Sequence, residues 1–243
     1  EKTIMFASTT SGEGKTFTAA NLAVSFALLD KKVVIVGLDI RKPRLAELFE
    51  IPNHHQGVTN ILIKENPTIE DIKKQILPSG VNDNLDVLMA GPIPPNPSEL
   101  VTRESLDIII NLLKEHYDYV IIDTAPIGLV TDTQQIARVA DLTVYMCRAD
   151  YTPKSSFAFI NSLNAEKKLP KMSIVINGID MAKKKYGYYY GYGKYGKYGK
   201  YGHYGKYGKY GNSSYGSYGA NYGSYGNYAN SGYGNRNDNS IKV

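Results

Sequence analysis

Between Ser8 and Thr16 the chain reads Ser-Thr-Thr-Ser-Gly-Glu-Gly-Lys-Thr, straight after an apolar run and straight before a helical pattern. Glycines at 12 and 14 let the backbone curl so that successive N–H groups point inward, and a following helix adds its positive end. Together these make a cradle for a polyphosphate. In such a loop Lys15 reaches the β and γ phosphates as a point charge, and the Thr16 hydroxyl is placed to ligate Mg²⁺. The expected nucleotide contacts are therefore Ser11, Gly12, Glu13, Gly14, Lys15, Thr16 and Phe17. The common form of the motif has a Gly where this chain has Thr9, so the order of strand, loop and helix carries part of the assignment.

Two carboxylates follow other apolar runs: Asp39, within Asp-Ile-Arg-Lys-Pro, and Asp123, within Asp-Thr-Ala-Pro. A lone Asp after a strand is more often a turn former or helix cap than a metal ligand. Three strand ends presenting Lys15 with Thr16, Asp39 and Asp123 reverse that expectation, because in a parallel sheet all three converge on one edge. There a nucleotide-bound Mg²⁺ needs carboxylates to position it, and a hydroxyl acceptor needs a base. Thr16, Asp39 and Asp123 are thus the expected metal-site residues.

The elements that must position these residues are legible as β-branched apolar runs at 3–7, 33–38, 85–89, 119–122, 142–147 and 172–176, with helical patterns between them. Runs apolar throughout are expected in strands covered on both faces, which predicts an α/β, doubly wound, mostly parallel sheet. A broad apolar stripe of Phe17, Ala20, Leu22, Ala23, Phe26, Ala27 and Leu29 predicts a helix over 15–29. Asn96-Pro97-Ser98-Glu99 reads as an N-cap, a Pro at the first helical position and a capping Glu, opening a helix that runs to about His116. Ligands on such sheets bind at the carboxyl ends of the strands.

Composition divides the chain near residue 185. Residues 186–243 hold 17 of the 21 Tyr and 15 of the 23 Gly, with seven basic residues and one acid, so the last 58 residues carry +6 and the first 185 carry −1. The basic balance belongs to the tail and gives no reason to expect nucleic acid as a partner. A body of residues 1–185 suits one domain with a full core. Residues 186–243 lack the aliphatic surface to offset ordering and are expected to be disordered. The single Cys147, inside an apolar run, fits a reducing compartment and a core position. No apolar stretch approaches the roughly 18 to 20 residues that cross a bilayer, and the four His show no metal-ligand spacing. The start at Glu1, two residues before a strand, reads as a piece of something longer.

With these residues together, the chain resembles the bacterial tyrosine kinases, a P-loop family with a deviant Walker A motif. The resemblance rests on Gly12-Glu13-Gly14-Lys15-Thr16, a second Walker-type motif over 34–41, a Walker B motif over 120–126, the Gly-Pro-Ile-Pro-Pro-Asn-Pro-Ser-Glu-Leu stretch at 91–100, and a C-terminal Tyr cluster. It implies ATP and Mg²⁺ as cofactors, Lys15 on phosphate, Thr16 and Asp123 acting on Mg²⁺, Asp39 aiding the metal and taking the proton of the attacking Tyr, and a catalytic role for Arg41. It also implies a ring-shaped homo-oligomer, a membrane-embedded activator domain of the polysaccharide co-polymerase kind, fused or separate, and a counteracting tyrosine phosphatase. The implied location is the cytoplasmic face of the inner membrane, with a role in exopolysaccharide or capsule assembly and export. One position departs from the pattern: the family has an acid two residues before Asp39, and here that residue is Gly37.

From Tyr192 to Tyr210 a Tyr recurs every third residue, at 192, 195, 198, 201, 204, 207 and 210, spaced by Gly and mostly Lys. Alone, such a segment reads as a low-complexity arm for anionic polymer. Attached to this body it reads as the kinase's own phosphoacceptor: Tyr192, Tyr195, Tyr198, Tyr201, Tyr204, Tyr207 and Tyr210. About four phosphates would cancel its positive charge. The rival reading is a partitioning-type switch ATPase with a polymer-binding tail. Those ATPases carry a Lys where this chain has Thr10, and often contact the base from the position of Asn177, which also fits a turn before Gly178.

Overall fold

The apolar runs form strands and the residues between them form helices that cover both faces. The computed structural model describes residues 1–52 and 55–180. In chain order the elements are β1 (Thr3–Ser8), α1 (Lys15–Ala27), β2 (Val33–Gly37), α2 (Leu45–Leu48), α3 (Val58–Leu62), α4 (Ile69–Lys73), β3 (Ile76–Pro78), β4 (Leu85–Leu88), α5 (Pro97–Thr102), α6 (Glu104–His116), β5 (Tyr119–Asp123), α7 (Asp132–Ile136), a single 3₁₀ turn (Ala137–Val139), β6 (Leu142–Arg148), α8 (Ser156–Ala165) and β7 (Met172–Asn177). Residues Glu1–Ile179 cluster as one compact unit. The tail, with its seven expected acceptor tyrosines, lies outside the described residues.

One sheet of seven strands has the order β3-β4-β2-β5-β1-β6-β7. All neighbours are parallel except β3, which runs antiparallel to β4 at one edge. The three strands that carry the candidate chemistry sit side by side at the centre as β2-β5-β1. Asp123 is opposite Phe6 on one side and Gly37 on the other, so the loops leaving these strands meet at one sheet edge.

Strand side chains alternate between two cores, as the pleat requires. Met5, Ala7, Val34, Val36, Val120 and Ile122 pack with Leu106, Ile109, Ile110 and Leu113 of α6. Ile4, Phe6, Val33, Ile35 and Ile121 pack with Ala19, Ala20, Ala23 and Ala27 of α1. Each fully buried Ile or Leu of α6 contributes roughly 1.5–3 kcal/mol relative to exposure. On α1 the buried stripe is made of alanines, which let the helix lie close to the sheet. Phe17 and Leu29, placed on the apolar stripe by the sequence, are 45% and 68% exposed.

Three further expectations are corrected. The helix expected over 97–116 is two helices, α5 and α6, separated at Arg103, whose extended backbone (φ −64°, ψ 148°) ends one and starts the other. Pro97 does open α5, but Asn96 makes no capping bond to the backbone; its amide donates to the Glu99 carboxylate instead. Not every strand is covered on both faces, because the edge strand β7 leaves Ile174, Val175 and Ile176 about two-fifths exposed. The short β3 has no apolar run of its own and follows from pairing with β4, which local pattern does not carry. Cys147 is buried as expected, and burial pushes its thiol pKa up to about 11, with the charge of Glu13 adding to the effect.

Candidate nucleotide and phosphoryl-transfer site

The loop between β1 and α1 curls through left-handed backbone at Gly12 (φ 86°) and Gly14 (φ 93°). The N–H groups of Gly12, Glu13, Gly14, Lys15 and Thr16 have no acceptor among the described residues. A run of inward N–H groups at a helix start is the donor set that phosphate oxygens satisfy. The rest of the loop is held by its surroundings. Thr10 N–H donates to Glu13 Oε2 at 2.8 Å, and the Thr152 hydroxyl donates to Glu13 Oε1. Tyr151 Oη donates to the Ser11 carbonyl at 2.9 Å, and Arg148 Nη1 to the Gly12 carbonyl at 3.1 Å. Asn177 Nδ2 donates to the Glu13 carbonyl at 3.1 Å, while its Oδ1 accepts the Gly178 N–H at 2.8 Å. A Cβ on Gly14 would lie 2.1 Å from that Asn177 nitrogen, so the close approach requires glycine.

Asp123 ends β5 with a carboxylate that is almost wholly buried and joins two of the expected partners. Oδ1 accepts Lys15 Nζ at 2.7 Å and Oδ2 accepts the Thr16 hydroxyl at 2.8 Å. Breaking such a buried pair by removing one member costs about 3–5 kcal/mol. Asp39, 9% exposed, lies just beyond β2 and takes the Lys42 N–H on Oδ1 at 3.0 Å. The Leu38 and Asp39 N–H groups both donate to the Asp123 carbonyl, which ties the two strand ends together. Burial raises the Asp39 pKa above the ordinary carboxylate value; the Lys15 charge and the Lys42 N–H oppose this, and the charge of Asp123 adds to it. A buried carboxylate with an upward shift is suited to taking a proton.

The structure therefore brings Lys15, Thr16 and Asp123 into direct contact, with Asp39 near enough to feel the charges of Lys15 and Asp123. Arg41 is not in that cluster. Its Nε and Nη2 donate to Asp132 at 2.7 and 3.2 Å, and Nη2 also donates to Ser98 Oγ at 2.8 Å. Ser98 Oγ donates in turn to Asp132 Oδ1 at 2.8 Å. Sequence reasoning missed Asp132; its only signal was an acid at a helix start, and such acids are common. Glu13 belongs to the loop through its backbone, because its side chain is buried and turned to Thr10 and Thr152. Ser11 and Gly12 accept loop contacts on their carbonyls, and the ring of Phe17 is half exposed. Asn177 takes the turn position before Gly178 and, in addition, reaches the loop through its amide. At Gly37 a Cβ would meet Leu45 Cδ1 at 3.1 Å and the Ala90 nitrogen at 3.3 Å, so the place of the family's acid is taken by packing.

The donor set fits a Mg²⁺ carried in with a nucleotide. Among the described residues no group of three or more His, Cys, Asp or Glu could hold a metal by itself. Thr16, Asp123 and Asp39 carry oxygens that could face such an ion, whose remaining shell would come from phosphates and water.

A parallel sheet with a glycine-rich loop before a helix, Lys and Thr at its end and Asp on the adjacent strand, defines a P-loop nucleotide-binding protein. The family model described as an AAA domain matches residues 1–174, and the chain belongs to that family. Tyrosine-protein kinase YwqD of Bacillus subtilis (strain 168) is 37% identical over 189 residues, covering 77% of this chain and 77% of that protein. The kinase domain of the Escherichia coli tyrosine kinase ETK superposes with a TM-score of 0.66 at 26% identity, over 75% of this chain and 70% of that one. The chain is a member of the bacterial tyrosine-protein kinases, of the capsule type. The septum site-determining protein MinD of Pyrococcus horikoshii, complexed with Mg-ADP, aligns with a TM-score of 0.57 at 17% identity over 72% of this chain and 69% of that one, and shares the fold alone. The switch-ATPase alternative thus has less behind it than the kinase reading. No helix among the described residues is long and apolar enough to cross a membrane.

Proposed function

We propose that this kinase transfers the γ-phosphoryl group of ATP to tyrosines of its own C-terminal cluster, Tyr192 to Tyr210 among them, with residues 1–185 as catalytic domain and 186–243 as substrate arm. The observation that supports it most is the Lys15–Asp123–Thr16 bridge beside the buried, upward-shifted Asp39. The loop N–H groups and Lys15 hold the phosphates. Mg²⁺, held by Thr16 and Asp123 with Asp39 assisting, would offset charge on the phosphoryl oxygens. Asp39 accepts the phenolic proton as the Tyr oxygen bonds to phosphorus, the bond from phosphorus to the β-γ bridging oxygen breaks, and ADP leaves. Protonated Tyr is a poor nucleophile, so a base in this place contributes on the order of 10²–10⁴ in rate.

In this reading the arm of one subunit enters the site of another within a ring-shaped homo-oligomer. A membrane-embedded activator domain of the co-polymerase kind holds the kinase at the cytoplasmic face of the inner membrane, a tyrosine phosphatase resets it, and the cycle controls export of a capsule or exopolysaccharide. The relationship to the tyrosine-protein kinases supports these assignments. Intact mass after incubation with MgATP tests the central claim, beside Lys15→Met and a full-length chain with the 17 tail tyrosines changed to Ser. A ladder of phosphate additions requiring both Lys15 and those tyrosines is expected. Steady phosphate release without a ladder would move the protein to the switch-ATPase class.

A further inference from the structure

Arg41 lies beyond β2, two residues after Asp39, and its guanidinium is held by side chains from other segments. Asp132, whose side chain is 2% exposed, accepts it two-pronged on Nε and Nη2, and Ser98 bridges the same carboxylate and the same Nη2. Three segments far apart in sequence meet there: the exit of β2, the start of α5 and the start of α7. A two-pronged carboxylate fixes the plane of a guanidinium as well as its position.

Arg41 lines a groove of about 350 Å³ together with, among the described residues, Ile127, Gly128, Leu129, Val130 and Thr131, the segment that follows Asp123 and Pro126. The segment is pinned to the phosphate loop, because Gly128 N–H donates to the Thr9 carbonyl at 3.1 Å and a Cβ there would lie 2.5 Å from the same oxygen. The groove therefore has the phosphate loop on one flank and the Asp39 segment on the other. Among the described residues its lining combines apolar Ile127, Leu129 and Val130, backbone, and the cation Arg41, whose charge Asp132 balances. A balanced cation is a poor anion trap, whereas a guanidinium plane fixed in an apolar wall is a stacking surface for an aromatic ring.

We infer that this groove takes the phenol ring of the acceptor tyrosine, stacked on Arg41, and that Asp132 and Ser98 are positioning residues that hold Arg41 for it. The occupant is a tyrosine of the Tyr192–Tyr210 repeat, a segment of this chain outside the described residues and rich in such rings. The inference rests on the kinase reading above.

The test uses the full-length chain with its 17 tail tyrosines changed to Ser, supplied with MgATP and a synthetic Lys-Tyr-Gly repeat peptide. In that background Asp132→Asn should raise the peptide KM about tenfold, the weight of one charged hydrogen bond. Ser98→Ala, and Leu129→Ser at a position 43% exposed, should raise it about threefold. ATP affinity should stay level in all three. Arg41→Ala combined with Asp132→Asn should lose no more than Arg41→Ala alone, since Asp132 acts through Arg41. ATP affinity falling in step with the peptide, independent losses in the double variant, or an unmoved KM in Leu129→Ser would each overturn the inference. A parent that releases phosphate steadily but phosphorylates no peptide would remove the kinase reading, and this inference with it.

Discussion

The phosphate loop and the exit of β2 lie on one sheet edge, but they are secured in different ways. The loop is clasped from outside by Arg148 at the end of β6, by Tyr151 and Thr152 just beyond it and by Asn177 at the end of β7, and from inside by Glu13. The β2 exit is held by strand pairing, the Lys42 N–H on Asp39 and the Asp132–Ser98 lock on Arg41. Loop contacts act mostly on backbone carbonyls and fix a shape; those at the β2 exit act on side chains and fix a charge and a plane. The loop flank is therefore preformed, and the β2-exit flank depends on a few polar groups.

Lys15→Met gives the largest effect expected from this contrast. ATP binding and transfer should both be lost, and because Asp123 is left buried beside Thr16 alone, the fold should weaken by about 3–5 kcal/mol. Calorimetric titration with ATP, read beside a urea unfolding curve, separates the two losses. On the other flank Asp39→Asn should cut transfer by on the order of 10²–10⁴ and leave ATP bound, which single-turnover rates and a binding isotherm check. Equal falls in binding and transfer would erase the distinction between the flanks.

Gly14→Ala tests how far the clasp fixes the loop. The left-handed backbone and the Asn177 amide together should cost about 1–3 kcal/mol and weaken ATP binding. Adding Asn177→Ala should relieve only the contact, so a full recovery in unfolding experiments would show the backbone conformation to be unimportant.

The smallest expected effect is on the pH dependence of stability. The folded pKa of Asp39 is raised by burial, so its contribution is complete below the unfolded value of about 3.9 and is lost as pH rises through the folded value. Asp39→Asn should therefore melt with the parent near that acid limit and above it at neutral pH. A variant that melts lower at neutral pH would mean that the carboxylate is favoured in the fold.

Much of the phosphate loop was legible because its chemistry is local: two glycines, Lys15 and Thr16 lie within five residues of one another, and the strand and helix flanking them carry their own periodicity. The six apolar runs became strands within about a residue of their expected ends for the same reason. The break at Arg103 was hidden because the apolar positions on either side continue a plausible helical pattern. Strand β3 was hidden because an edge strand is specified by its partner.

The residues of the chain determined by themselves the strand–loop–helix unit, the central parallel sheet, Asp39 and Asp123 as strand-end acids, and the division of charge between body and tail. Each of these is written in near neighbours or in composition. Tertiary structure alone decided that Glu13 faces inward, that Asn177 presses on Gly14, that Leu45 fills the space beside Gly37, and that Asp132 and Ser98 hold Arg41. These depend on where the ends of β6 and β7 and the starts of α5 and α7 come to rest. A buried hydrogen bond forms only once packing has excluded water and fixed both partners, and no local pattern encodes a pairing between residues 91 positions apart.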